Sequence, residues 1–444
     1  MNKNKVFLLV IICFILPCPF LKAQNAWQLK ECIAYGLKNH RSNKVYANEK
    51  LAAEAKAREA LAGYLPSVNV TGTIDDNLKV QQSVIPAGIF GPTDVKVAFT
   101  KQFNTNAYIQ LDQPIYDQSL ITGLKANKYI REQAVLNVQQ NEETLIYNIS
   151  TAYYQVFVYR EQLSLLQANL ESYQGQLTIS DLKVKKGVAA EVDLNKVQVN
   201  YNNTLSNINV AESNLQLSEA QLKNAMGYRL SDILPLDTVN ITKTIPESKE
   251  TVFTVGNRTD YLLSKADANL FLIDEKRIRA GALPRLSFYA KYGDIGFGDN
   301  LGQSFKGMSN YSAIGIKLSI PLFDGFKRNS QYKQAKYKQL NALENLKLDE
   351  DKYRLDYENA RTKMTKEQVN VVNDMRNIEL AKAVFETTDL QYQKGVTDLT
   401  DWLNAQNSLK EAQNNYLNSL FNFYMATLDL EKANGTLKSF YTSL

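Results

Sequence analysis

The stretch GVTDLTDWLNAQNSLKEAQNNYLNSLFNFYMATLDLEKANG, residues 395–435, carries two interleaved rows of large and small side chains. Every seventh residue from Trp402 gives Leu409, Tyr416, Phe423, Leu430 and Leu437. Three positions beyond the first five of these lie Ala405, Ala412, Ser419, Ala426 and Ala433. A period of about 3.5 residues falls short of the natural α-helical turn, so helices sharing such a seam supercoil left-handed. Small residues beside large ones let a neighbouring helix come close. The segment reads as a packing helix, with Asn, Gln, Lys and Glu over much of its remaining surface.

The same pattern stands 208 residues earlier. Lys186-Gly187-Val188 answers Lys394-Gly395-Val396, Asp193 answers Asp401, and Gly227 answers Gly435. Between them the heptad recurs as Leu194, Tyr201, Ile208, Leu215 and Leu222. Further upstream Gln113-Pro114-Ile115-Tyr116-Asp117 answers Ile320-Pro321-Leu322-Phe323-Asp324, and Leu65-Pro66 answers Leu283-Pro284. Landmarks in one order indicate a tandem repeat. The first repeat covers residues 24–227 and the second 257–435. Between them lies a connector at 228–256 with a strand-like run Val239–Ile245, and residues 436–444 form a tail.

Each half reads as helix, strand, strand, long helix, helix. First helices at about Leu29–Ala62 and Asn257–Ala280 stop at the Leu-Pro pairs, because proline disfavours helix in the residue before it. Strands follow by period-two alternation: Val68, Val70, Ile74; Ala107, Ile109, Leu111; Leu286, Phe288, Ala290, Tyr292; Ile314, Ile316, Leu318, Ile320. Such alternation suits a barrel strand with a lipid side and a water side, and any half-buried sheet reads the same way. Pro66, Pro114, Pro284 and Pro321 mark the strand boundaries, and long Gly- and Pro-bearing loops join the paired strands. Proline-free helices then run over about Gln118–Lys185 and Phe326–Lys394, each on the order of 100 Å long. The first carries an apolar stripe from Leu145 through Ile149, Val156, Leu166 and Tyr173 to Leu177. The second carries Val371, Met375, Ile378, Ala381 and Phe385.

Lys3 and Lys5, the apolar run Val6–Leu16 and Ala23 read as a secretory signal over residues 1–23. Cys13 and Cys18 leave with it, and Pro17 makes Cys18 a poor lipidation site. Cys32 then has no disulfide partner. The formal net charge of +5 loses Lys3, Lys5 and Lys22, and a balance near neutral gives no electrostatic reason for nucleic-acid binding. After the signal no apolar run is long enough to span a bilayer as a helix, which leaves a closed β-barrel as the route into a membrane. Four strands cannot close one, so the chain must oligomerise: two copies supply eight strands, three supply twelve.

The signal, the paired Leu-Pro strand openings, the Pro-hydrophobic-Tyr/Phe-Asp strand exits and the paired Gly-Val tips resemble the TolC-like outer-membrane factors over nearly the whole mature chain. The resemblance implies an α+β membrane fold: a homotrimer with a twelve-stranded barrel, four strands per chain, continued by a twelve-helix coiled-coil tunnel into the periplasm. It implies a passive exit duct of a tripartite efflux pump or type I secretion system. Its partners would be a periplasmic adaptor, an inner-membrane proton-driven or ATP-driven transporter and outer-membrane lipid. Gly187 and Gly395 would form the tip turns. Asp401, Asn404 and Asp398 would lie at the periplasmic constriction; where the family has a second acid, Asn404 implies weaker cation selectivity. Tyr392 and Asp193 would latch the tips by a hydrogen bond, while Thr397 replaces a basic partner.

Each aspartate also has a structural role to offer. Asp193, Asp398 and Asp401 fall in first helical turns, where carboxylates meet free N–H groups. Capping is the better reading for Asp398. Trp402, Tyr416 and Phe423 read as core, and His40 as an exposed, solvated histidine. No phosphate loop, nucleophile elbow or metal-spaced His/Cys set is present, so neither enzyme activity nor a cofactor is expected. The competing reading is a structural or adhesive periplasmic coiled-coil protein, with its strands in a soluble sheet.

Overall fold

The computed structural model describes residues 26–237 and 252–444. The signal and the run Val239–Ile245 lie outside the described residues. The elements begin with α1 (Leu29–Asn39), α2 (Arg41–Ala62), β1 (Ser67–Asp76), β2 (Ser83–Ile85), β3 (Val95–Val97), β4 (Phe103–Tyr116) and α3 (Gln118–Leu124). The long α4 (Ala126–Lys185) and α5 (Glu191–Met226) follow. Then come α6 (Thr259–Ala280), β5 (Arg285–Gly298), α7 (Leu301–Lys306) and β6 (Ser309–Ser319). The chain ends with α8 (Lys327–Gln393), α9 (Leu399–Asn434) and α10 (Leu437–Ser443). Two compact units result. One comprises Val45–Gln139 and Thr259–Lys352, the other the remaining segments.

The first unit holds the sheet. Pro66 and Pro284 stand immediately before β1 and β5, and the helix ahead of each tightens to end. Leu65 N–H donates to Ala62 O and Leu283 N–H to Ala280 O, both at 3.0 Å. Four antiparallel strands follow in the order β1-β4-β5-β6, so β1 and β6 are its edges. The central pair sets Tyr108 against Gly293 and Leu111 against Ala290. Continuous register puts Val68, Val70, Ile109, Leu111, Phe288, Ala290, Tyr292, Ile314, Ile316 and Leu318 on one face. The other face carries Asn69, Thr71, Tyr108, Gln110, Asp112, Lys291 and Lys317. The apolar face is bare: Val70 is 78% and Ile314 79% exposed.

Four expectations for this unit need correction. Pro114 is not a boundary; β4 continues to Tyr116, with a register shift between the two residues, because a proline without an N–H is accommodated at a bulge. Pro321 stands two residues beyond the end of β6. The long loops are partly ordered, the first by the β2–β3 hairpin and the second by α7. The Ser304 hydroxyl of α7 lies 2.7 Å from that of Thr105. A Cβ on Gly296 or Gly298 would overlap the Ser304 backbone, so both glycines are required by close approach. Finally, the expected helix Gln118–Lys185 is interrupted at Lys125. The strand-exit aspartates act as caps: Asp117 accepts from Leu120 N–H (3.1 Å) and Asp324 from Arg328 N–H (3.1 Å).

The second unit is helical. Its core gathers Ile33 of α1, Ile146, Ile149, Tyr153 and Phe157 of α4, Leu222 and Met226 of α5, and Phe423 and Leu428 of α9. Cys32 is fully buried among them, and burial, with Glu31 beside it, pushes its thiol up to about 12. It therefore stays protonated and unreactive at neutral pH. The expected single first helix is in fact α1 and α2, broken at His40 (φ −62°, ψ 135°). The Asn43 side chain takes the Gly36 and Leu37 carbonyls at 3.2 and 2.7 Å, which ends α1. His40 is half-buried rather than solvated; Nδ1 lies 2.8 Å from Ser42 Oγ, and its Cα would sit 3.1 Å from a Cβ at Gly227. The C-terminal tail forms α10, with Leu437 buried and Lys438 paired to Glu142 at 2.6 Å.

Four helices end alike. Gly187, Gly227, Gly395 and Gly435 have φ of 75°, 69°, 74° and 72°. At each, the glycine N–H and the next one reach back to close a Schellman turn, as in Gly395 N–H to Tyr392 O (3.1 Å) and Val396 N–H to Gln391 O (2.9 Å). Their surroundings differ. A Cβ on Gly395 meets nothing within 4 Å, whereas one on Gly435 would stand 2.6 Å from Asn257 O. Gly395→Ala should cost about 1–2 kcal/mol and Gly435→Ala about 2–5 kcal/mol. Urea unfolding followed by helical circular dichroism reads the difference; equal losses would show that packing at Gly435 has no part in it.

Candidate functional site

The chemistry-bearing residues singled out in the sequence collect at the turns between α4 and α5 and between α8 and α9. Here Tyr173, Val197, Tyr392, Leu399 and Trp402 form a small separate core, with Leu177 and Phe385 against it. Trp402 is 1% exposed. Its ring meets Tyr173 and Phe385 edge-on at 5.7 and 5.6 Å, and its Nε1–H donates to Asp389 Oδ1 at 2.7 Å. The hydrogen bond spans the Gly395 turn and ties α9 to α8.

The three aspartates differ in surroundings. Asp398 is the N-cap of α9, accepting from Asp401 N–H at 3.0 Å. The Asp401 carboxylate accepts the Thr397 hydroxyl at 2.5 Å. So Thr397, at the place where the resemblance implies a basic partner, holds the Asp401 carboxylate instead. Asp401 and Asn404 are exposed, while Trp402, Ala405 and Gln406 between and beside them are buried. Asp193 pairs with Lys196 of its own helix at 3.1 Å.

Tyr392 and Asp193 are not joined by a hydrogen bond among the described residues, contrary to the expected latch. The physical reason is local. Tyr392 is 5% exposed, turned into the small core, and Lys183 Nζ stands 3.6 Å above its ring. The cross-link between α4 and α8 is thus a cation–π contact. Gly187 and Gly395 form the two turns, each with open space around it.

Above this core lies a polar seam. Asn169 of α4 accepts from Gln406 Nε2 (2.9 Å) and donates to Gln413 Oε1 (2.8 Å) of α9. All three are buried. Leu399, Gln406, Gln413 and Leu420 are a further buried heptad row beside the one read from Trp402. Buried amides at seam positions fix register at a cost in stability. Sequence reasoning missed Lys183, Asp389 and this row. Asp389 and Trp402 stand six residues before and seven after Gly395, a spacing that could have paired them; nothing in the sequence brings Lys183 to Tyr392.

The chain matches the family described as outer membrane efflux protein over residues 37–228 and 276–436. The chain belongs to this family. It is accordingly a protein of the outer membrane, and no helix among the described residues is long and apolar enough to cross one. Outer membrane protein TolC of Escherichia coli K12 is 25% identical over 346 residues, 75% of this chain and 70% of that one. Solved structures share the fold. CusC aligns over 91% of both chains with 17% identity and a TM-score of 0.76. The open state of the MtrE outer membrane channel of Neisseria gonorrhoeae aligns over 92% of this efflux-family chain and 89% of MtrE, with 16% identity and a TM-score of 0.75.

Proposed function

We propose that three copies of this chain close a twelve-stranded barrel and continue it as a twelve-helix periplasmic tunnel, built from a tandem repeat. The assembly is a passive exit duct rather than an enzyme. A periplasmic adaptor docks it and a proton-driven or ATP-driven inner-membrane transporter feeds it, in efflux or type I secretion. The observation that carries this reading is the sheet: one bare apolar face, one polar face and two open edges. In lipid an open edge is not tolerated, so β1 of one copy pairs with β6 of the next. Planar-bilayer recording of the purified protein tests it. Absence of conductance, or recovery from the soluble periplasmic fraction, would favour a structural or adhesive coiled-coil protein.

The helix turns form the gate in this reading. Asp401, Asn404 and Asp398 face the opening, with Asp398 also holding the helix start. Because Asn404 is neutral, cation preference rests mainly on Asp401. Asp401→Ala should lower that preference, read as a shift of the reversal potential in a salt gradient; an unchanged potential would leave Asp401 a helix-start residue only. Closure is held by the ring face of Tyr392 under Lys183, with Asp193 on Lys196 outside the latch. Tyr392→Phe should therefore conduct as wild type does. Lys183→Gln, which removes a contact worth about 0.5–2 kcal/mol, should raise the open fraction. A Phe variant that opens as readily would restore the phenol hydroxyl as the latch.

A further inference from the structure

A cavity of about 260 Å³ opens where α6 gives way to β5 and α8 begins, lined by Ser119, Asp274, Arg277, Arg285, Arg328 and Lys338 among others. Four cations converge there, and three carboxylates answer them incompletely. Arg277 Nε and Nη2 both reach Asp274 Oδ1 at 3.0 and 2.7 Å. Arg328 Nε takes Asp324 at 2.6 Å and its Nη2 the Pro321 carbonyl at 3.1 Å. Arg285 stands 3.5 Å from Asp117, beyond a good hydrogen bond. Lys338 has no carboxylate partner among the described residues. One positive charge and several guanidinium N–H donors are left over.

Beside the cavity the chain holds out an apolar shelf. Leu322, Phe323 and Phe326 are 89%, 77% and 69% exposed, and the two rings meet edge-on at 5.6 Å. Phe326 is held at φ 64°, directly after Gly325 at φ 64°. A non-glycine residue in this region is strained, and such strain persists where surrounding structure uses it. The Arg328 bond to Pro321 fastens this shelf to the basic cavity.

The geometry points to a binding site for an anionic phospholipid headgroup, with a phosphodiester in the cavity and acyl chains along the shelf. A phosphodiester carries one negative charge, matching the one left over. The site lies at the strand ends where the chain turns helical, the periplasmic level of the proposed barrel; its placement in the inner leaflet rests on that reading. Basic pockets of this kind select acidic headgroups over zwitterionic ones.

The test is native mass spectrometry of the assembled full chain in detergent, titrated with dihexanoyl phosphatidylglycerol, dihexanoyl phosphatidylcholine or inorganic phosphate. Wild type should retain phosphatidylglycerol preferentially. Lys338→Glu should weaken that retention on the order of tenfold, leaving phosphatidylcholine unchanged, and Arg285→Gln should act in the same direction. Should Lys338→Glu misfold, Lys338→Gln carries the same expectation. Equal retention by wild type and variants would overturn the site. Displacement of the lipid by an equal concentration of inorganic phosphate would make it a free-anion pocket and overturn the lipid assignment. Conductance of the same preparation separates the two readings: a conducting protein without headgroup preference refutes this site alone, and a lipid-selective protein without conductance refutes the duct alone.

Discussion

Ile314→Arg should remove the protein from the outer membrane. Ile314 lies midway along β6, opposite Ala290 in register, on the face that also carries Ile109, Leu111, Phe288 and Ile316. An arginine at the midplane of a lipid-facing strand costs about 2–4 kcal/mol, and a trimer would carry it three times. The sum rivals the whole stability of an ordinary domain, about 5–15 kcal/mol. Folded, membrane-inserted protein should therefore fall below detection in heat-modifiability and protease-protection assays. Lys317→Gln on the opposite, polar face should insert normally. In a soluble sheet the outcome would reverse: a side chain 79% exposed to water accepts arginine without loss. Normal insertion of the Arg variant would refute a lipid-facing role for this surface.

Trp402→Ala should unlock the helix turns. The indole fills the small core between Tyr173 and Phe385 and donates to Asp389. Its removal should cost about 3–5 kcal/mol, and leaves Asp389 without its donor. Only a handful of buried side chains hold this end, so the loss has nowhere to be absorbed. The variant should conduct at least several-fold more than wild type, and trypsin should cut faster at the exposed Lys186 and Lys394 beside the turns. Phe423→Ala makes the comparison. It removes a fully buried ring from the large helical core and should lower stability by a similar amount without changing conductance. If Trp402→Ala stays closed while its stability falls, the small core is packing and not part of the gate.

Much of this was legible in the sequence because two signals are local. Period-two alternation at Val68, Val70 and Ile314, Ile316 located strands of the four-stranded sheet, and the offset of 208 residues located four glycine turns of like φ. The unread parts depend on distant partners. The break at His40 needs Gly227 and the side chain of Asn43. The ordering of the second loop as α7 needs Thr105 and two bare glycines. Lys183 finds Tyr392 across two long helices, and the expected Tyr392–Asp193 bond is absent among the described residues because Tyr392 turns into the small core while Asp193 pairs with Lys196. Gln406 and Gln413 were visible as a heptad pair, but a polar pair reads as surface until Asn169 is known to face it.

The sheet's two open edges also govern how such a molecule comes into being. The outer strands β1 and β6 leave a folded single copy with unpaired backbone groups on both flanks. Such a species is poorly solvated in lipid and prone to pair with any strand in water. Insertion and assembly should then be a single event, and a lone inserted subunit should not accumulate as an intermediate. In the proposed trimer, stability has no meaning apart from subunit concentration. Dilution during export would leave unassembled chains dependent on chaperones, and in the proposed trimer a defective copy that still pairs by one edge would disable its two sound neighbours.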